Sequence, residues 1–265
     1  MDYTTYWGMS AAPFAEGSLT TTSPLLDEAL ARLFFLVDER RPLGILVGEP
    51  GTGKTRLLKL FASRLAKRGI LACRDSFLGR QSYELLWQIG NRLGARPHSG
   101  EPLQAIWNAL ETRLMELAID QGRLALLLDD VDGAMGGSVT QISRLLATTE
   151  RHPGLITLVL STTADALPRL GNRILDQAHL RIDLGPWSLD ETTEFMRRAM
   201  ESCGRRESPI EPAAIDRLHF LTQGMPAQII RIAELALMVA ANEKRESINE
   251  MLIEALFCEF APAAV

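Results

Sequence analysis

Three observations make this chain an α/β protein with a doubly wound, mostly parallel five-stranded sheet followed by a smaller all-helical segment. Short apolar runs recur between amphipathic stretches, a glycine-rich turn joins the first run to a helix, and the alternation stops at Gly185-Pro186. Strands buried on both faces read as continuous Val, Ile and Leu runs, and strands alternating with helices imply parallel pairing. At 265 residues and 46% hydrophobic content the chain can bury a sizeable core.

The elements follow in order. Leu25 to Arg40 has the spacing of a leading helix, Leu43 to Val47 is the first strand, and Lys54 to Arg68 puts Leu57, Leu58, Phe61 and Leu65 on one helical face. Ile70 to Arg74 is the second strand. Gln81 to Leu93 and Pro102 to Asp120 are helical, with a loop at 94–100 between them. Leu124 to Asp129, Leu155 to Thr162 and Leu180 to Leu184 supply three more strands. Beyond them Leu189 to Ser202, Pro212 to Thr222, Pro226 to Ala241 and Ser247 to Phe260 read as helices, with Ser188 or Asp190 placed to cap the first. The expected division is an α/β domain with an N-terminal arm over residues 1–185 and a helical domain over 186–265. The last five residues, Ala261 to Val265, are expected to fray.

Composition excludes several classes. A net charge of -5 argues against a globally basic nucleic-acid binder, while leaving room for a local patch. Apolar runs such as Leu155 to Leu160 fall far short of the roughly twenty residues a membrane helix needs. The first residues lack a basic region followed by an apolar stretch, so the expectation is a cytoplasmic protein without membrane insertion. Cys73, Cys203 and Cys258 form no C-x-x-C pair, which suggests neither a disulfide framework nor a zinc site.

The chemistry begins at Gly48-Glu49-Pro50-Gly51-Thr52-Gly53-Lys54-Thr55, a complete G-x-x-x-x-G-K-[ST] loop between the first strand and its helix. Its glycines let backbone N–H groups turn around phosphates, Lys54 reaches the β and γ oxygens, and Thr55 places a hydroxyl where Mg²⁺ takes a ligand. The helix behind it points its positive dipole end at the same anion, and Arg56 completes the expected binding set. Asp129 and Asp130 follow an apolar strand, at the edge where parallel sheets place their ligands. Asp129 is the candidate Mg²⁺ carboxylate and Asp130 the group that orients the attacking water. Aspartate is one methylene shorter than the glutamate usual in that role, which makes slow turnover the expectation. Ser161-Thr162-Thr163 ends another strand; if that strand lies beside the first, Thr162 or Thr163 is placed to sense the γ-phosphate or position water.

In this order the P-loop, acidic pair, polar strand and helical lid resemble the AAA+ ATPases. Tyr6-Trp7-Gly8-Met9 with Pro13-Phe14, Leu184-Gly185-Pro186-Trp187-Ser188 and Gln223-Gly224-Met225-Pro226 narrow the resemblance to the ExeA type, the general secretion pathway protein A ATPases. Transposition regulators of the TniB and TnsC type share this architecture. The resemblance implies ATP as the nucleotide, in keeping with the lack of an N-K-x-D sequence, Mg²⁺ as the metal, and Pro226 of the lid turn near the nucleotide. It also implies ring or filament assembly in which one subunit lends an arginine to its neighbour; Arg173 is the first candidate and Arg169 the second. Pro13, Phe14 and Ile230 are candidates for an adenine pocket, or Phe14 for an anchor of the arm. Two departures stand out. Asp130 replaces a glutamate and Ala227 replaces the arginine after the lid proline, with Arg231 one helical turn further on. The leading expectation is an ATPase that drives assembly or remodelling of a partner protein in secretion. The alternatives are a DNA-associated transposition regulator forming ATP-dependent oligomers, and a weakly hydrolysing nucleotide switch.

Overall fold

A computed structural model describes residues 2–14, 23–98, 100–133 and 137–260; Ala261 to Val265 and Ser99 of the 94–100 loop lie outside them. In chain order the elements are α1 (Tyr3–Tyr6), α2 (Pro24–Asp38), β1 (Leu43–Gly48), α3 (Lys54–Lys67), β2 (Leu71–Ser76), α4 (Ser82–Leu93), α5 (Leu103–Ile119) and β3 (Leu124–Asp129). Then come α6 (Ser138–Arg151), β4 (Ile156–Thr162), α7 (Asn172–Leu175), β5 (Leu180–Leu184), α8 (Leu189–Ser202), α9 (Pro212–Thr222), α10 (Pro226–Asn242) and α11 (Glu250–Phe260). Contacts divide the chain into a sheet unit, residues 29–50 with 54–184, and a helical unit built from 1–28, 51–53 and 185–265.

The sheet runs β2-β3-β4-β1-β5 and every pairing is parallel. Its central strands β1, β3 and β4 are buried at every position, which is why they read as unbroken apolar runs. The edge strand β5 alternates buried with exposed residues and β2 buried with half-buried ones, as strands with one open side do. The register sets Val47 beside Thr162, Gly48 beside Leu184, and Ser76 beside Asp129. The carboxyl ends of β1, β3 and β4 therefore finish at one edge, and β4 does lie beside the P-loop strand.

The sheet core gathers Leu126, Leu128, Leu158 and Leu160 with Phe77, Leu85, Leu86 and Trp107. Trp107 donates its indole N–H to Gln141 Oε1 at 2.9 Å, and the Arg144 guanidinium lies 4.2 Å over its ring. Gln141 and Arg144 belong to α6, a helix for which no range was assigned from sequence. Ile142, Leu145 and Leu146 give it the helical spacing, but Ser138, Thr148 and Thr149 share its buried face and dilute the apolar pattern. The second strand also runs two residues further than expected, to Ser76.

In the helical unit, Ser188 caps α8 through a reciprocal pair: its hydroxyl accepts the Glu191 N–H at 3.2 Å and the Glu191 carboxylate accepts the Ser188 N–H at 2.8 Å. The arm, which sequence order groups with the sheet, packs here. Trp7, Met9 and Phe14 join Trp187, Phe195 and Leu237 in one core, and Trp7 donates its indole N–H to the Leu237 carbonyl at 2.9 Å. Gly224 is held at φ 73°, and a Cβ there would meet the Trp187 carbonyl oxygen at 2.3 Å. Only glycine fits this turn between α9 and α10.

Cys73 and Cys203 are buried while Cys258 is exposed on α11, and burial pushes the Cys73 thiol up to about 12. Thiolate is the reactive form, so at pH 8 the native protein is expected to react rapidly at Cys258 alone. Counting reacted thiols with an aromatic disulfide reagent checks this: one before denaturation and all three after it, with Cys258→Ser removing the fast reaction.

Candidate functional site

The loop after β1 turns through Gly51 at φ 92° and Gly53 at φ 98°, conformations that a side chain resists. Gly48 and Thr52 are buried, Glu49 and Pro50 are exposed, and Thr55 opens the exposed side of α3. Lys54 is only 7% exposed; its ammonium donates to the carbonyls of Gly48 at 2.5 Å and Glu49 at 3.2 Å. The cation is thus folded over the loop backbone rather than extended into solvent. Burial lowers the proton affinity of Arg56. Within the helical unit, the Gly51 carbonyl accepts the Ala227 N–H at 3.0 Å. Ala227 is in the first turn of α10, where N–H groups have no partner inside the helix, so the loop carbonyl satisfies one of them. A Cβ on Gly51 would approach the Ala227 Cβ and Met225 Sδ, both at 3.3 Å.

At the end of β3 the two carboxylates have different surroundings. Asp129 is 1% exposed; its Oδ1 accepts a hydrogen bond from the Ser161 hydroxyl, while its Oδ2 has no hydrogen-bond donor among the described residues and lies 3.7 Å from Arg74 Nη1. Asp130 is half-buried, sits in the left-handed region at φ 51°, and donates its N–H to Ser161 Oγ at 3.0 Å. Its Oδ2 accepts from the Ser76 hydroxyl at 3.2 Å, across the sheet on β2. Burial, with Asp129 and then Asp132 adding like charge, raises the Asp130 carboxyl above its ordinary value. Asp132 Oδ1 is also buried, with no hydrogen-bond partner among the described residues. Arg74, Ser76 and Ser161 were not singled out from sequence as site residues, and their only signal was position at the ends of β2 and β4.

Hard oxygen donors suit Mg²⁺. Asp129 Oδ2, buried and without a donor among the described residues, together with the hydroxyl of Thr55, is a donor set that fits this ion. Thr162 is fully buried and its hydroxyl has no partner among the described residues, whereas Thr163 is half-buried. Arg173 on α7 and Arg169 just before it are exposed and make no hydrogen bond or ion pair among the described residues. Arg231 is exposed on α10, and Pro226 is buried at that helix's first turn. Phe14 is buried and stacks on Phe195 with centroids 6.2 Å apart, so it anchors the arm; Ile230 packs against the same core.

The family of AAA domains matches residues 37–170, which run from the end of α2 through β1, the acidic pair and β4. The chain belongs to this AAA family. General secretion pathway protein A of Aeromonas hydrophila is 24% identical over 247 residues, covering 90% of this chain and 45% of that protein. The AAA chain thus spans less than half the length of that relative. Among solved structures, Cdc6p from Pyrobaculum aerophilum superposes with a TM-score of 0.79 at 17% identity, over 93% of this chain and 70% of that one. The Aeropyrum pernix ORC1 protein in complex with DNA gives 0.73 at 17% identity, over 93% and 68%. The Thermotoga maritima RuvB Holliday junction branch migration motor gives 0.58 at 17%, over 88% and 68%. These likenesses establish the AAA+ P-loop fold. No helix among the described residues is long and apolar enough to cross a membrane.

Two substitutions test the roles assigned to this AAA site. Lys54→Ala removes the cation over the loop and is expected to weaken ATP affinity at least tenfold, read with a fluorescent analogue on folded protein. Asp130→Asn is expected to retain ATP binding, lose turnover and, in metal-free buffer at pH 7, melt at a higher temperature than the wild type. The raised carboxyl favours its protonated form in the fold, so its charge opposes folding as pH rises above the ordinary 3.8 and ceases to do so below it. Melting curves from pH 3 to 8 show whether the two proteins converge at the acid end.

Proposed function

We propose that this chain is a Mg²⁺-dependent ATPase of slow turnover whose nucleotide state governs assembly with copies of itself and with a protein partner. The observation that carries the reading is the common edge at which β1 hands over to the P-loop and β3 to Asp129 and Asp130. In this reading the loop amides and Lys54 bind the β and γ phosphates, with Thr55 and Asp129 holding Mg²⁺. The bound cation supplies neutralisation of phosphate charge. Asp130 orients the attacking water, and its raised proton affinity suits a group that accepts hydrogen bonds from water. Its Oδ2 already accepts from Ser76, and the carboxylate keeps further acceptor positions for water. The backbone also favours aspartate over glutamate here, since Asp is among the non-glycine residues enriched at positive φ. Thr162, with its unpartnered hydroxyl beside Val47, is the better placed of the two threonines to sense the γ-phosphate.

Similarity to general secretion pathway protein A over 90% of the chain supports a secretion-related role. A second reading, a DNA-associated regulator, draws support from the resemblance to an ORC1 protein in complex with DNA. Sizing with ATP, with and without duplex DNA, separates them: ATP-dependent growth without DNA supports the first, and DNA binding that weakens steeply with salt supports the second.

Arg173, exposed and unpaired, is the residue proposed to act on a neighbour's nucleotide. Arg173→Ala is expected to lower turnover at high protein concentration by at least about tenfold with ATP affinity little changed. A turnover per subunit independent of concentration, in wild type and variant alike, would exclude this role. Ala227→Arg, next to the loop apex, is expected to raise turnover several-fold by adding a cation near the phosphates; Arg231→Ala tested alongside shows whether that residue already supplies one.

A further inference from the structure

Ser161 is fully buried, at the point where β3 stops pairing with β4. The last pair in the ladder with β4 is Leu128 with Leu160; Asp129, still paired with Ser76 on β2, ends the strand, and the chain turns at Asp130. A serine hydroxyl has one proton to give and lone pairs to receive. Ser161 uses both: it donates to Asp129 Oδ1 and accepts the Asp130 N–H at 3.0 Å. The second bond stands where the next ladder bond would have been, so the strand end closes on a side chain. The first occupies one oxygen of Asp129 and leaves Oδ2 without a hydrogen-bond donor among the described residues. Thr162, next along the strand, has a buried hydroxyl with no partner among them.

We propose that Ser161 is a positioning residue that fixes the rotamer of Asp129 and the left-handed turn of Asp130, so that Asp129 presents one set oxygen to Mg²⁺. It acts through the two aspartates rather than on phosphate, since the one proton it could give a phosphate oxygen goes to Asp129 and its oxygen accepts the Asp130 N–H. The proposal rests on the ATPase reading only for the identity of the metal. A carboxylate free to rotate offers its oxygens to the cation in several poses, and ordering it in advance strengthens binding.

The test reads nucleotide binding rather than turnover. A fluorescent ADP analogue is titrated into the wild type, Ser161→Ala, Asp129→Asn and the double variant, first with chelator and then across a Mg²⁺ series, with circular dichroism confirming each fold. The expected result is that Ser161→Ala keeps chelator affinity within about twofold of wild type. The Mg²⁺ concentration that half-enhances binding rises about tenfold or more, the loss typical when a group orienting a metal ligand is removed. Because Ser161 acts through Asp129, the double variant should require no more Mg²⁺ than Asp129→Asn alone. Ser161→Cys, similar in volume with a weak donor, is expected to shift in the same direction and takes the place of the alanine variant should that one not fold. An unchanged Mg²⁺ midpoint in folded variants, or shifts that add fully in the double variant, would overturn the proposal. A wild type that binds nucleotide with Mg²⁺ dependence but never hydrolyses it would instead remove the ATPase reading and leave this one standing.

Discussion

A carboxylate buried at the end of a central strand has to be compensated, and in this protein Asp129 is compensated on one side only. Ser161 satisfies one oxygen, Arg74 stands 3.7 Å from the other, and among the described residues no hydrogen-bond donor reaches that second oxygen. Burying a carboxylate oxygen short of donors is costly, which suits a site where a bound cation completes its surroundings. The strand order explains how it came to be there. Because β4 is inserted between β1 and β3, Ser161 lies between the P-loop strand and the acidic strand, and a single side chain ties the ends of two strands together.

Asp130 shows the same logic carried into the backbone. Its positive φ removes it from the strand direction, and two of its hydrogen bonds run to opposite neighbours, β4 through the N–H and β2 through the carboxylate. The residue that departs from the glutamate common in the resembling family is thus one whose local geometry favours a short side chain. The departure at Ala227 likewise has a local setting, since its N–H is the donor that meets the Gly51 carbonyl.

What was legible in the sequence was contiguous. The P-loop, the Asp129-Asp130 pair and the central strands are each written in consecutive residues, and their physical signatures, glycine spacing and unbroken apolar runs, survive without knowledge of partners. The helix α6 was missed because Thr148 and Thr149 bury their hydroxyls against the carbonyls of Arg144 and Leu146, which lets polar residues occupy a core face. The end of β2 was missed because Asp75 and Ser76 look like a loop; in the fold Asp75 is buried and paired with Arg80 and Arg92. Ser161 and the arm were illegible for a different reason. Their partners are 31 and 230 residues away, and only the strand register and the helical core bring them together.

The central claim, that the loop after β1 and the carboxylates after β3 form one Mg²⁺-assisted nucleotide site, is tested most directly by calorimetric titration of the wild-type protein with ATP, in excess Mg²⁺ and in excess chelator. The account predicts saturable one-to-one binding that is at least about tenfold tighter with Mg²⁺ than without it. Absence of ATP binding, or equal affinity in the two buffers, would contradict it.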